Sequence, residues 1–359
     1  MPDVAMHERC SVGHFTFVCE LPREPCAALV AQLACLQQNP GDVSCGYFCL
    51  HNMESLLGAV GGVGQNCPQP AMFLDRQSFE ATKDRMNSRL LDEGVRMGAE
   101  KPPWSEAHIR TGILERAHLD YLLDAGHVAR GASVVRLMEA SATALISNEL
   151  PLNDLAGLDA QITRLRSAGE PEMAALVIGA AIHWTVLFVT TDGKGFLEVF
   201  YCDSQNSPIL GLDDASLSAL AVECEFKSWL AAGWPRATME KLQVDSWRGV
   251  QVIIAAVREA AAGGRTVTQN LLERWLNEGL RKTWKAADGN LAAWMSDGWH
   301  ASYLETALLS VARAGRSFDD SRALLRSWAE EVLSVLKSID EEKAARVQAV
   351  ANEVLKLVC

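Results

Sequence analysis

One short segment of the sequence combines the features that a thiol nucleophile requires. Cys45 is followed by Gly46 and by an apolar run that continues to about Val60, and a turn-forming cluster, Asn39-Pro40-Gly41-Asp42, precedes it. A cysteine at the start of a helix lies near unpaired backbone N–H groups and the positive end of the helix dipole, and both favour the thiolate. The segment therefore predicts a reactive Cys45 at a helix N-terminus. A small buried core cysteine is the alternative interpretation.

Two neighbours of Cys45 could complete a site for acyl transfer. Gln38 is seven residues upstream of Cys45 and can place its side-chain amide beside the Cys45 backbone N–H. These two donors would form an oxyanion hole, in which removal of one donor typically costs about 3–4 kcal/mol. Gly46 has no side chain, so it would let the backbone of a substrate approach closely.

A histidine and an aspartate in two consecutive predicted strands could serve as general base and orienting carboxylate. His183 begins an alternating run of aromatic and β-branched residues, and the indole of Trp184 could shield an ion pair from water. Asp203 ends the next such run, and Asp192-Gly193 between the runs predicts a hairpin turn. The hairpin would let Asp203 hold one tautomer of the imidazole through Nδ1–H. Alone, His183 would be interpreted as a core histidine; the full set favours catalysis.

These motifs together resemble the papain-like superfamily of cysteine peptidases, in the order used by papain and several deubiquitinating enzymes. The motifs are Gln38…Cys45-Gly46, His183-Trp184 and Asp203-Ser204. Locally they look closest to the ubiquitin-like-protein-specific (SUMO-type) proteases, in which similar His-Trp, Asp-Ser and Gln-x-Asp-x-x-Ser-Cys-Gly motifs recur. The resemblance covers Gln38–Leu57 and about Leu176–Val257. It implies a Cys-His-Asp thiol hydrolase that cleaves peptide or isopeptide bonds at the C-terminus of a ubiquitin-like modifier.

A second segment departs from this family pattern. In SUMO-type proteases the cysteine follows the aspartate, and here that place is taken by Gln243-Val244-Asp245-Ser246-Trp247-Arg248-Gly249-Val250. Arg248 stands about where a cysteine is expected, and it cannot attack a carbonyl; its fixed charge would pair with Asp203 or Asp245. Either Cys45 replaces the missing cysteine in space, or a helix from Gly249 is the central one and the domain is a binding pseudoenzyme. The segment could also be a plain helix N-cap at Asp245 or Ser246.

The periodicity of the remaining sequence predicts an α+β fold, in which a papain-like core has a small antiparallel sheet packed on the cysteine-bearing helix. The predicted strands are His14–Glu20, Met173–Ile182, His183–Thr191 and Gly195–Asp203. The predicted helices are Cys26–Gln37, Cys45–Val60, Ser78–Asp92, Glu106–Ala125, Ala132–Asn148, Val250–Ala262, Thr268–Lys282, Asn290–Ala314, Asp319–Ser338 and Asp340–Val358. We divide the chain into a protease-like domain, 1–262, with a helical insertion at about 72–170, and a helical C-terminal region, 263–359.

The composition of the chain argues against several classes of function. The net charge of −12 over 359 residues argues against a nucleic-acid-binding surface. The ten cysteines include no CxxC pair and no zinc-type spacing with a histidine, so neither a metal nor a cofactor is expected. A secretory segment and an apolar stretch of membrane-spanning length are not found, which predicts an intracellular protein, cytoplasmic or nuclear. The expected partner is a protein or peptide substrate; a papain-fold acyltransferase would use the same triad.

Overall fold

The computed structural model describes residues 7–12, 15–20, 30–33, 35–39, 42–60, 75–124, 133–137, 152–170, 172–180, 183–191, 193, 195–205, 207–263, 265–274, 323, 326, 329–330 and 341–358. In these residues the protein is mixed α and β. None of the helices in these ranges is long and apolar enough to cross a membrane.

Seven strands in the described residues form one mixed sheet. They are β1 (His7–Val12), β2 (Phe15–Glu20), β3 (Val30–Leu33), β4 (Ser133–Leu137), β5 (Glu172–Ala180), β6 (His183–Thr191) and β7 (Leu197–Cys202). Their order is β1-β2-β3-β7-β6-β5-β4, and β5, β6 and β7 form an antiparallel meander. The three predicted antiparallel strands are therefore confirmed to within two residues, but the sheet extends beyond them, through parallel pairs of β3 with β7 and of β4 with β5.

Ten helices lie in the described residues. They are α1 (Cys45–Val60), α2 (Arg76–Met97), α3 (Glu106–Ile109), α4 (Arg116–Asp124), α5 (Leu152–Arg166), α6 (Asp214–Glu223), α7 (Lys227–Ala231), α8 (Arg236–Ala261), α9 (Val267–Arg274) and α10 (Glu341–Val358). The predicted limits of α1 are confirmed at both ends. The predicted C-terminal helix is confirmed as α10.

The helices cover both faces of the sheet, because side chains alternate along each strand. One core contains even-numbered residues of β5 such as Leu176 together with α5, α6 and α8. The other contains odd-numbered residues of β5 such as Val177 together with α1, α2 and α4. Helices α1 and α8 therefore pack on opposite faces of the sheet. This separates the two segments that the sequence offered as the central helix.

Three predicted helices differ from the structure. Within Cys26–Gln37, Val30–Leu33 is strand β3, and within Ala132–Asn148, Ser133–Leu137 is strand β4. Both are short apolar runs, whose periodicity does not separate strand from helix until partner strands are known. The range Glu106–Ala125 is divided into α3 and α4, with Gly112 at positive φ between them. The 72–170 insertion is thus not wholly helical.

Helix α8 begins earlier than predicted, at Arg236 instead of near Val250. Asp245 and Ser246 consequently lie in the helix interior, and the predicted N-cap there is wrong. The Ser246 hydroxyl donates back to the Leu242 carbonyl at 2.7 Å, as is usual for a serine within a helix. The predicted helix Asn290–Ala314, most of Asp319–Ser338 and residues 275–282 lie outside the described residues.

Candidate active site

Local hydrogen bonds place Cys45 at the first turn of α1. The Asp42 carboxylate accepts from the Ser44 backbone N–H at 2.9 Å, and the Ser44 carbonyl accepts the first helical bond, from Phe48 N–H, at 3.1 Å. Lys83 on α2 donates to the Ser44 hydroxyl at 2.8 Å, which brings an ammonium group to this helix end. Backbone N–H groups of a first helical turn have no acceptor within the helix. Cys45 therefore begins α1 in a turn whose backbone N–H groups have no helical acceptor.

The structure brings Cys45, His183 and Asp203 together. The His183 imidazole contacts the Asp203 carboxylate, with Nε2 2.5 Å from Oδ1, and both side chains are buried. The Cys45 thiol lies near enough to the same imidazole to raise its pKa. The predicted use of Nδ1 by the aspartate is wrong, because Nε2 faces Asp203. The imidazole thus has both the carboxylate and the thiol as neighbours, and we call these three groups the relay.

The surroundings of His183 favour the imidazolium. Burial by itself would lower the pKa of this histidine, but the negative charge and hydrogen bond of Asp203, aided by the hydrogen bond and charge of Cys45, raise the pKa to about 10. The raised pKa means that the ring stays protonated at neutral pH and can stabilise a thiolate beside it. A protonated imidazole beside a cysteine side chain is an arrangement that activates a thiol nucleophile.

Asp203 is held in place by bonds that leave its carboxylate pointed at His183. Its Oδ1 also accepts from the Gln205 backbone N–H at 2.9 Å, and its Oδ2 accepts from the Tyr201 hydroxyl at 3.4 Å. The Cys35 thiol donates to the Asp203 carbonyl oxygen at 2.9 Å. Cys35 follows β3, which pairs with β7, so the parallel strand pair positions the end of β7. The sequence did not predict this support.

Gln38 connects the two halves of the site. Its backbone N–H donates to the Ser204 carbonyl at 2.8 Å, and its side-chain oxygen accepts from the Ser204 hydroxyl at 2.9 Å. Its side-chain Nε2 donates to the Asp42 carbonyl. Because Nε2 carries two hydrogens, one remains for a substrate oxygen. Gln38 thus joins the loop before Cys45 to the residue after Asp203.

These residues open into a cleft of about 770 Å³, lined by Gln38, Cys45, His183 and Trp184. One wall is the segment 113–116, which belongs to the predicted insertion. The Trp184 indole N–H donates to the Leu114 carbonyl at 2.9 Å, which fixes this wall against β6. Trp184 is partly exposed and lines the cleft, and its shielding of the ion pair stays a prediction. Leu114 was not singled out from the sequence, because no local pattern indicates a long-range wall contact.

Gly46 has a different role from the predicted one. A Cβ at this position would lie 2.8 Å from the Leu114 Cβ, so the space beside Gly46 is filled by the wall. The missing side chain lets the wall pack closely on α1, and it does not provide an approach for a substrate. Gly46 is therefore a packing requirement of the site.

Arg248 lies away from the relay. It forms an ion pair with Asp214, with Nε 2.9 Å from Oδ1, on the partly exposed side of α8. The predicted pairing with Asp203 or Asp245 is not what the structure shows. Arg248 does not occur among the residues that line the cleft in the described parts of the chain. The residues that line the cleft also include Gln205, Phe226, Trp229 and Gln243.

In the described residues, no group of three or more His, Cys, Asp or Glu side chains is placed to hold a metal ion. We compared the chain with known protein families, with curated proteins and with solved structures, and none of the three comparisons finds a match. The likeness to papain-like and SUMO-type peptidases therefore depends on the motifs quoted above.

Proposed function

We propose that this protein is a papain-like thiol hydrolase that cleaves a peptide or isopeptide bond. The observation that carries the proposal is the buried relay of Cys45, His183 and Asp203 at the wall of an open cleft. Residues from a helix start, a strand start and a strand end converge there, although 138 residues separate Cys45 from His183 (183 − 45). Burial of an imidazole between a thiol and a carboxylate is unfavourable for stability alone, and it is typical of a catalytic site.

The proposed reaction proceeds in two steps. The Cys45 thiolate attacks the carbonyl carbon, and the His183 imidazolium gives its proton to the leaving amine, so that a thioester and a free amine form. A water molecule then transfers a proton to His183 and attacks the thioester, which releases the carboxylic acid and regenerates Cys45. The Cys45 backbone N–H and the remaining Gln38 amide hydrogen stabilise the oxyanion in both steps. Asp203 keeps the imidazole aligned throughout.

The resemblance to SUMO-type proteases supports a narrower substrate class. Under this proposal the cleft receives the C-terminal tail of a ubiquitin-like modifier inside the cell, and the partly exposed Trp184 borders the tail. Such tails are extended and end in small residues, which fit between Trp184 and the wall at 113–116. The pseudoenzyme alternative depended on Arg248 at the nucleophile position, and the ion pair of Arg248 with Asp214 gives it no support.

A set of ubiquitin-like proteins with a C-terminal vinyl sulfone tests the proposal. We expect one of them to form a covalent adduct, located on Cys45 by peptide mapping. Cys49→Ala is the matched control, because Cys49 is on the same helix, is buried, and donates to the Thr185 carbonyl at 3.5 Å. Burial raises the pKa of Cys49, so this thiol is not expected to react. A folded wild-type protein that forms no adduct with any probe contradicts the proposal.

A further inference from the structure

Two glutamine side chains in the cleft have polar atoms that the fold does not satisfy. Gln243, in the interior of α8, is only 1% exposed, and in the described parts of the chain its Nε2 has no hydrogen-bond partner. The side-chain oxygen of Gln205 is likewise buried without a partner among the described residues. Both residues line the cleft that contains Cys45 and His183.

An unpaired amide at this position is unusual. More than nine in ten buried polar groups of native proteins have a partner, since an unpaired one loses its bonds to water without compensation. Gln243 is anchored within a helix, one turn before the fully buried Trp247, so it has little freedom to turn its amide into solvent. Gln243 is one of the residues that line the cleft, so a molecule bound there is one source of the missing acceptor.

The positions of the two groups relative to the relay connect them to catalysis. The Gln205 backbone N–H donates to the Asp203 carboxylate at 2.9 Å, so the side chain of Gln205 begins beside the relay. Gln243 comes from α8, which packs on the other face of the sheet from α1, and it lines the same cleft. The two glutamines therefore add one amide donor and one amide acceptor, both uncharged, to the residues that line the cleft.

We propose that Gln243 and Gln205 form a subsite for the main chain of an extended peptide. The Gln243 Nε2–H donates to a substrate carbonyl, and the Gln205 side-chain oxygen accepts from a substrate N–H. A peptide group offers these two complementary functions whatever its side chain, whereas a small amine or a single acyl group does not. The inference rests on the proposed function, and it assigns peptides, bound through their backbone, as the substrate class.

Two reagents separate this subsite from the reactivity of the thiol. Iodoacetamide reports the Cys45–His183 pair alone, and an acetylated pentapeptide vinyl sulfone ending in two glycines also reports peptide binding. For Gln243→Met we expect a second-order rate with the peptide reagent about 10-fold lower, equal to about 1.4 kcal/mol. The iodoacetamide rate at Cys45, followed by peptide mapping, should stay within about twofold, which also shows that the variant is folded.

Gln251→Met is the matched control on the same helix. The Gln251 amide is satisfied by the Ile209 carbonyl and by the Leu212 carbonyl at 3.1 Å, so its loss should lower the melting temperature and leave both rates unchanged. Gln243→Met should keep or raise the melting temperature, because it removes an unpaired buried amide. We therefore expect Gln243→Met to react more slowly with the peptide reagent without a loss of stability. We expect Gln251→Met to lose stability without a change in either rate.

N-methylation of the peptide reagent tests the Gln205 side. Methylation of one backbone nitrogen should slow the wild-type reaction about 10-fold and should have no further effect on Gln205→Ala. An unchanged peptide rate in both Gln243→Met and Gln205→Ala overturns the subsite and leaves the hydrolase proposal intact. A wild-type protein whose Cys45 reacts with neither reagent overturns the proposed function itself, and the subsite with it.

Discussion

Two segments of the chain are similar in sequence and different in structure. Gln38–Gly46 and Gln243–Gly249 each contain a glutamine, an Asp and a Ser, and each ends in a glycine before apolar residues. The described residues of the first segment before Cys45, 38–39 and 42–44, lie outside helices and strands, and its last two residues begin α1. The second segment lies wholly inside α8. Only the first brings its residues to His183 and Asp203. The second contributes Gln243 to the cleft and turns its Arg248 toward Asp214.

The difference shows that the chemistry of such a motif depends on where the helix begins. Backbone N–H groups are unpaired in a first turn and bonded in a helix interior, so only the first turn can stabilise a thiolate and an oxyanion. The loop before Cys45 also lets Gln38 bond to both Asp42 and Ser204. Gln243, in the interior of α8, keeps an unpaired amide within the described residues.

The largest expected effect comes from exchanging the nucleophile between the two segments. Cys45→Ala should lower hydrolysis of a reactive peptide substrate by more than about 10³-fold, because no other thiol in the relay can replace it. The double variant Cys45→Ala/Arg248→Cys should remain equally inactive, since residue 248 lies at an exposed ion pair on α8. Initial rates for both variants measure this.

Arg248→Ala alone is the control for the exchange, and we expect full activity together with a slight loss of stability from the surface ion pair, about 0–1 kcal/mol. Recovery of activity in the double variant would show that α8, rather than α1, supplies the nucleophile position. The comparison of the two segments would then be reversed.

The second prediction concerns the carboxylate of the relay. Asp203→Asn keeps acceptors for the Gln205 N–H but removes the charge that raises the pKa of His183. We expect this pKa to fall from about 10, and hydrolysis of a reactive peptide substrate at neutral pH to slow by about 10²–10⁴-fold, the range for lost acid–base catalysis. An NMR titration of the imidazole and the initial rate of hydrolysis are the measurements. Asp245→Asn, in α8, should change neither.

The ionisation of His183 predicts how the free energy of unfolding varies with pH. The pKa of folded His183, about 10, lies above the ordinary value of 6.5 for a histidine, so the folded state holds the proton more tightly. This contribution is complete below about pH 6.5 and is lost as the pH rises through about 10, at about 1.4 kcal/mol per unit of pKa difference. Urea denaturation across this window should show the decline in the free energy of unfolding. Asp203→Asn should reduce this decline with pH. An equal decline in that variant would contradict the assignment of Asp203 as the group that raises the pKa of His183.

The third prediction concerns Gly46, the glycine that follows Cys45. A Cβ on Gly46 would lie 2.8 Å from the Leu114 Cβ, so Gly46→Ala should displace the wall at 113–116 and cost about 1–3 kcal/mol. Gly157→Ala in α5 is the matched control, because a Cβ there meets no atom within 4 Å in the described structure. That change should stabilise by about 0.5–1 kcal/mol, as alanine does in a helix interior. Chemical denaturation of the two variants should therefore give opposite signs.

The types and order of the residues predicted that Cys45, His183 and Asp203 would come together. Burial and long-range packing determine the geometry in which they do so. Helix α1 and the β5–β6–β7 meander follow from a strong apolar pattern bounded by turns, and the relay residues lie at their ends. The choice of Nε2 for Asp203 and the role of Gly46 depend on side-chain directions that a sequence pattern does not contain. Strands β3 and β4 were predicted as helices, because strand pairing with β7 and β5 decides the structure of such short runs.

The smallest expected effect concerns two tryptophan side chains, Trp184 at the cleft and Trp247 in α8. Trp184 donates its N–H to the Leu114 carbonyl at 2.9 Å, whereas the Trp247 N–H in α8 is buried without a partner in the described residues. Trp184→Phe loses that hydrogen bond, so it should cost about 1 kcal/mol and speed amide hydrogen exchange at 113–116 several-fold. Trp247→Phe removes no hydrogen bond but leaves a cavity in the other core, so it should lower the melting temperature without faster exchange at 113–116. Equal exchange at 113–116 in wild type and Trp184→Phe would show that Gly46 packing alone holds the wall in place.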